Sequence, residues 1–498
     1  MGIVQKDALR TTIATYLGMV LGYLNKAYLF IILLSTVQIG LVNLVFMVGA
    51  LFAQFANFGT VNTTWRFFPY LDNKEKKHFG FLSLNLLIVL SGIAFFSLLV
   101  LLFGDLVGLY FQEKSSLFVE SYYWIIPVGI GIVLFKMLDS YLRALFKNVF
   151  PVIANEIIYR LVVTGLLCLY AAQLLTFEQL FVALCIAQFV PAILLIGYLV
   201  KLGEWHFSVK SIQIPRRFRK IILTYSVFSY LNSLGAILVI SLDAIMISGM
   251  LGLSEYGIYS VVRFLMGALM VPYSAIMRVS APLVSKYWKT REMGEMQELY
   301  QKVSSVTLFI GLFLFLGVWV SREELFQFLG PEYQPGIYIF LCLMIGRLLD
   351  MYFGLNGTIL VTSKRYKFDM IFTSLLILLV IVLNLYFIPK WGLMGAALST
   401  TIAYFGYNFS RMIFVWYTYK IHPFALSQFV VMAIFTGCIV FFEMVNINLG
   451  NVWLNIGLKS ILVCVMFPLA IYLLKIEPEI VNYVDKGIAT FNKKLGRK

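Results

Sequence analysis

Lys26, Lys136, Arg160, Arg263, Arg278, Arg347, Arg411 and Lys459 stand inside stretches that are otherwise apolar, against Glu156, Asp243, Asp350 and Glu443. Glu120 and Asp139 sit at the ends of such stretches. An ionised side chain at the centre of a bilayer costs at least ~2.5–3.5 kcal/mol, and persists mostly where it meets water or a partner. The set leans basic, so it suits non-covalent handling of an anion better than acid–base or nucleophilic catalysis. His78, His206 and His422 lie in three separate loops, and Cys168, Cys185, Cys342, Cys438 and Cys464 occur singly with no metal or redox spacing, so no metal site is expected. No Gly-rich Lys-Ser/Thr loop for a nucleotide is present.

Spacing sorts these charges. Glu156 and Arg160, four apart on one helix face, predict a self-neutralising pair, with a substrate contact as the alternative. Arg347 and Asp350, three apart, predict another, although Lys136 and Asp139 repeat the pattern and suggest a shared gate or hinge. Lys136, Arg278, Arg411 and Lys459 lie near enough to the ends of their stretches to reach out along them. Lys26 and Arg263 sit too deep to do so. Pro272 interrupts the backbone ladder of an apolar run and joins the gating or hinge set; Pro127 and Pro191 do the same elsewhere.

The elements that must hold these residues are membrane spans. The chain is 61% hydrophobic and 13% charged, with a mean hydropathy of +0.89. A span needs roughly 20 apolar residues to cross about 30 Å of hydrocarbon, and about fourteen such runs lie between Thr12 and Leu474. The shortest are Val303–Val320 and Phe429–Val445. Long unbroken runs predict helices, since backbone without water must satisfy its own hydrogen bonds and barrel strands would alternate. With the N-terminus inside, Lys114, Arg322 and Lys390 are the sole bases outside the spans on the outer side, and the rest crowd the inner loops. That predicts an even number of crossings with both termini in the cytoplasm. The net charge of +15 is thereby read as a topology signal on an anionic leaflet, and nucleic acid is not an expected partner. The first run is full length and lacks a small-residue cleavage pattern, so no signal peptide is expected. Lysines beside a stripe of Ile476, Ile480, Val484, Ile488, Phe491 and Leu495 predict a helix lying on the inner surface, and Lys286–Lys302 suggests another.

The chain also echoes itself. Gln38-Ile-Gly40-Leu-Val, followed by Gly49-Ala-Leu, matches Glu255-Tyr-Gly257-Ile-Tyr, followed by Gly267-Ala-Leu. Lys136-Met-Leu-Asp139-Ser-Tyr141 matches Arg347-Leu-Leu-Asp350-Met-Tyr352. Each match links runs six apart, which predicts an all-α polytopic protein of two pseudo-equivalent six-helix bundles, residues 1–220 and 221–420, with a C-terminal helix pair and tail over 421–498. Parallel repeats of this kind build transporters that rock around a central cleft. At the offset relating Gly40 to Gly257, Asp243 falls opposite Lys26.

Asn384-Leu-Tyr-Phe-Ile-Pro389-Lys-Trp391-Gly392-Leu-Met-Gly395-Ala396-Ala397 resembles the stretch of polysaccharide flippases where a span ends at Ile-Pro, turns on Gly and restarts with Gly-Ala-Ala. Glu255-Tyr-Gly-Ile-Tyr259 resembles that family's turn into its eighth helix, and Asn356-Gly-Thr-Ile-Leu-Val-Thr-Ser-Lys364 its inner turn after the tenth. The likeness covers nearly the whole chain. It implies the multidrug/oligosaccharidyl-lipid/polysaccharide (MOP) superfamily, in the branch of O-antigen and capsule flippases of the bacterial inner membrane. It further implies a cargo of undecaprenyl-pyrophosphate-linked oligosaccharide moved from inner to outer leaflet by alternating access, with membrane lipids and the polysaccharide polymerase and chain-length machinery as partners. A cationic path suits that pyrophosphate, whereas an exporter of organic cations would favour buried acids. Lys26 and Arg263, in spans that line the central cavity of related lipid II flippases, are then the expected substrate contacts, and Asp243 is expected to hold Lys26 until cargo or a cation competes. No organic cofactor is expected. Energy from a Na+ or H+ gradient, from the membrane potential or from downstream consumption stays open, as does a multidrug or metabolite exporter of the same superfamily. A membrane polymerase or glycosyltransferase would need a large outer loop or an exposed acidic pair, and Asp105 has no such partner, so an enzyme is not expected.

Overall fold

The computed structural model describes residues 3–73, 75–208, 212, 214–445 and 450–474, and among them the regular structure is helical throughout. Among the described residues, eleven helices are long and apolar enough to cross a membrane. A bent pair, Leu253–Leu265 and Met270–Thr290 at 52°, makes one more if it forms a single span. The 53-residue element Lys367–Tyr419 covers two of the expected spans, because Gly392 (φ 56°, ψ −134°) turns the chain between them in a conformation an L side chain rarely adopts. The seventh expected span, Ile221–Ser248, lies within a 35-residue helix, Arg216–Met250, in which Ile237–Met250 is a shorter apolar stretch. The protein is therefore an all-helical polytopic membrane protein, as its hydropathy requires.

The chain packs as two compact units, Met1–Val261 and Val262–Lys498. The sequence repeat concerns which helices match; this division concerns which helices pack. In the first unit, α1 (Ile3–Tyr23) runs on through a π-helical turn, Leu24–Leu29, to Leu33. Then come α2 (Thr36–Ala56), α3 (Thr60–Leu71), α4 (Phe81–Leu102), α5 (Ile125–Ala144), α6 (Tyr159–Ala171), α7 (Phe177–Ala187), α8 (Phe189–Lys201), α9 (Arg216–Met250) and most of α10 (Leu253–Leu265). The Ser35 side chain and Gln38 close a capping box that starts α2, satisfying two of the donors a helix start leaves unpaired. The enclosed face of α2 carries Ile39, Val42, Leu44, Val45 and Ala53, all fully buried, so α2 is the spine of this unit.

The second unit holds α11 (Met270–Thr290), α12 (Met293–Val320), α13 (Gly336–Phe353), α14 (Lys367–Tyr419), α15 (Leu426–Met444) and α16 (Val452–Leu473). Leu312, Leu316, Val431, Val463, Phe467 and Ile471 form one core, which fastens the C-terminal pair α15 and α16 onto α12. Charges reinforce it. Arg322 holds Glu443 with two bonds, Nη1 to Oε1 at 2.7 Å and Nη2 to Oε2 at 3.1 Å, and Lys459 pairs with Glu324.

Two expectations change. Lys286–Lys302 is not a single surface helix: Arg291 takes φ 61°, and the chain turns there from α11 into α12, whose first turns bury Met296 and Tyr300. An amphipathic stripe looks the same on a surface helix and on the ends of two packed ones. The expected short span Val303–Val320 is the second part of the 28-residue α12. The expected tail helix, Ile476–Lys498, lies outside the described residues.

Candidate functional site

In the first unit the internal echo becomes a contact. A Cβ at Gly40 would stand 1.9 Å from the Leu253 carbonyl oxygen, and one at Gly257 would stand 2.0 Å from that of Thr36, so α2 and α10 touch backbone to backbone. Thr36 and Ser254 hydroxyls meet at 2.8 Å, and Asn43 Nδ2 donates to Ser260 Oγ at 3.0 Å. Asn43 and Ser260 are 217 residues apart, the spacing of the two glycines, so repeat-equivalent residues face each other as they would beside a local dyad.

Lys26 joins this seam. It rides on the π-helical turn after α1, an irregularity frequent at functional sites, and its Nζ donates to Asn43 Oδ1 at 3.3 Å while the residue as a whole stays exposed. Asp243 is buried on α9 and accepts from the Tyr259 hydroxyl at 3.2 Å. A second π-helical turn, Ile153–Ile158, leads into α6 and carries Glu156. Glu156 and Arg160 pair as their spacing predicts, and Arg160 also donates to the Gly18 carbonyl. A side chain at Gly18 would collide with Glu156, and one at Gly22 with the Arg160 guanidinium, so these glycines let α1 approach α6. Asn25 Nδ2 to Arg160 O at 2.9 Å and Thr164 Oγ1 to Asn25 Oδ1 at 2.7 Å complete the zip. The geometry of this group is structural: it fixes the helix that carries Lys26.

Lys136 and Asp139 do not pair. Asp139 accepts two bonds from Arg143 Nε, one turn on, at 2.7 and 2.9 Å, and Lys136 is half-buried with no partner among the described residues. Their counterparts in the second unit behave differently. Arg347 Nη1 reaches Asp350 Oδ2 at 3.1 Å and lies over the Tyr404 ring, while Asn408 Nδ2 serves Asp350 Oδ1 at 3.1 Å. Asn356 Nδ2 donates to the Asn408 carbonyl at 3.0 Å, tying this pair to the chain after α13. Arg263 is half-buried on α10. Pro272 falls in the first turn of α11, directly after the 52° bend, where a missing N–H is tolerated.

Sequence reasoning missed two features. Arg411 does not reach outward: it is buried against Asp369 at the start of α14, with the Tyr407 ring 4.5 Å from its guanidinium carbon. The partners are 42 residues apart, and no local pattern announces them. His78 is not a free loop residue either. It is 1% exposed, with Nε2 3.0 Å from Glu204 and Nδ1 3.2 Å from Asp72, and rests on Phe68 in a loop where Lys77, His78 and Phe79 all take φ near 50°. Its Nδ1 contact is an ion-pair distance without hydrogen-bond alignment.

Known proteins agree with this architecture. The family model described as polysaccharide biosynthesis protein matches residues 4–288. The capsular polysaccharide biosynthesis protein CapF of Staphylococcus aureus is 25% identical over 207 residues, covering 41% of this chain and 50% of that protein, so the match spans half the relative's length. Among solved structures, the lipid II flippase MurJ in an inward closed conformation superposes with a TM-score of 0.70 over 93% of this chain and 98% of its own, at 15% identity. An inward-facing multidrug resistance MATE family transporter of the MOP superfamily gives 0.66 over 83% and 98%, at 13% identity. Identities this low carry the fold alone. With more than half its length inside the family model and a transporter fold around it, the chain belongs to the polysaccharide biosynthesis protein family, as the flippase resemblance in its sequence implied.

Proposed function

We propose that this protein moves a polyprenyl-pyrophosphate-linked oligosaccharide from the inner to the outer leaflet of a bacterial cytoplasmic membrane by alternating access, with both termini in the cytoplasm. The observation that carries the reading is Lys26: a basic residue within an apolar run of membrane-span length, on a π-helical turn, exposed as a residue, with its ammonium donating to the Asn43 amide oxygen. A charge kept there at a cost of ~2.5–3.5 kcal/mol suits an anion that must cross the same depth. Arg263 supplies a second cation, and Asp243 holds Lys26 until cargo or a cation competes. Lys136, Asp139, Arg347, Asp350 and Pro272 act as gate or hinge. Transport draws on a Na+ or H+ gradient, on the membrane potential, or on consumption of the cargo by the polymerase. Depletion of the protein tests the reading: lipid-bound repeat units accumulate on the inner leaflet. An unchanged pool, with lost efflux of small organic compounds instead, points to an exporter of drugs or metabolites.

A further inference from the structure

The second unit carries a groove that the cargo reading leaves unused. It lies between α11 and α12, has a volume of about 530 Å³, and is open to the surface, with Val279 70% exposed. Ile276, Val279, Leu283, Val303 and Val306 line the part away from the Arg291 turn. Toward the turn the lining becomes charged: Lys302 first, then Glu298 and Glu295 nearest the turn. Helical spacing places Lys302 about 6 Å beyond Glu298 along α12, one turn deeper toward the apolar part. With Glu292 beside them, these carboxylates form an acidic stretch directly after Lys286, Lys289 and Arg291, against the basic bias of this membrane face.

The order is carboxylate, ammonium, hydrocarbon, and it complements one kind of lipid. In a phospholipid with a primary amine headgroup, the ammonium is outermost, the phosphate lies deeper, and the acyl chains deeper still. We infer that the groove between α11 and α12 binds a phosphatidylethanolamine-type lipid, its ammonium donating to Glu295 and Glu298, its phosphate facing Lys302, and one acyl chain lying along Ile276, Val279 and Val303. Charge-assisted N–H···O bonds to two carboxylates require a donor, which a quaternary choline lacks, and the groove offers a single tyrosine, Tyr287, where choline recognition needs an aromatic cage. An anionic headgroup, or the pyrophosphate of the proposed cargo, meets two negative charges before it reaches Lys302. The site is therefore distinct from the cargo path, and its occupancy is independent of the cargo reading.

The test uses the purified full-length protein in nanodiscs of phosphatidylethanolamine, phosphatidylcholine and phosphatidylglycerol with matched acyl chains, read by native mass spectrometry of retained lipid. Wild type retains the ethanolamine lipid over the choline lipid by about two- to fivefold, the scale of exposed charge pairing. E295Q/E298Q brings that ratio to one, and K302Q weakens both lipids alike. Both glutamates are exposed, so the double variant keeps its core; a photoreactive phosphatidylethanolamine analogue on the wild-type chain gives a second readout, with cross-links in 293–306 expected. Equal retention of the two zwitterionic lipids, preference for phosphatidylglycerol, an unaltered ratio in E295Q/E298Q, or cross-links confined to other helices would overturn the inference.

Discussion

Lys136-Met-Leu-Asp139 in the first unit and Arg347-Leu-Leu-Asp350 in the second are the same motif by sequence and different devices by structure. In the second unit the acid is closed on both sides, by Arg347 and by Asn408, and the cluster is neutral. In the first, Arg143 takes both oxygen contacts of Asp139 and leaves Lys136 without an acidic partner among the described residues. One residue, a base one turn after the acid, redirects the pairing; position 354, its equivalent after Asp350, is glycine. The repeat records which helices correspond, and the pairing of its charges differs between the units. The consequence is an asymmetry among the described residues: Arg347 is paired with Asp350, whereas Lys136 has no acidic partner.

The comparison can be broken at its most buried point first. Arg411→Ala strands Asp369 without its guanidinium, and loss of one partner of a buried pair costs about 3–5 kcal/mol, so thermal unfolding in detergent shifts far more than for Arg143→Ala, whose pair is half-exposed. Comparable shifts would remove the claim that the second unit depends more on closed pairs. Gly257→Val drives a side chain into the Thr36 carbonyl, and overpacking at such a contact costs about 1–3 kcal/mol or more, read as loss of folded protein at equal expression. His78→Ala removes the imidazole that Glu204 Oε2 meets at 3.0 Å in a buried site, a loss of about 1–3 kcal/mol measurable as faster amide exchange around 78 and 204. The smallest stability change is expected for Lys136→Leu, within about 1 kcal/mol of wild type or above it, since an unpaired ammonium is removed from the membrane. Its transport should nevertheless fall, and full transport would confine Lys136 to a solvated helix edge.

Much of this was legible in the chain. Hydropathy is local, so span positions followed from composition, and Glu156 with Arg160 followed from helix geometry. The Gly40 and Gly257 echo was visible as a spacing, and the structure turned it into a backbone contact. What could not be read were pairings across distance: His78 with Glu204, 126 residues on, and Arg411 with Asp369. Helix periodicity says which face is polar, and only packing says what meets it. Lys136 shows the same limit, since its spacing to Asp139 allowed a pair that Arg143 pre-empted.

The central claim is that Lys26 is a water-reachable cation that meets the anionic linkage of a lipid-bound glycan. It is tested by replacing the resident protein with Lys26→Arg or Lys26→Gln and measuring how lipid-linked repeat units divide between the leaflets, at matched protein levels. Loss of a charge-assisted contact is worth about 1.5–3 kcal/mol, roughly tenfold or more in rate. The account predicts that Lys26→Arg keeps the outer-leaflet pool near wild type while Lys26→Gln strands the repeat units inside; wild-type distribution in the Lys26→Gln strain would contradict it.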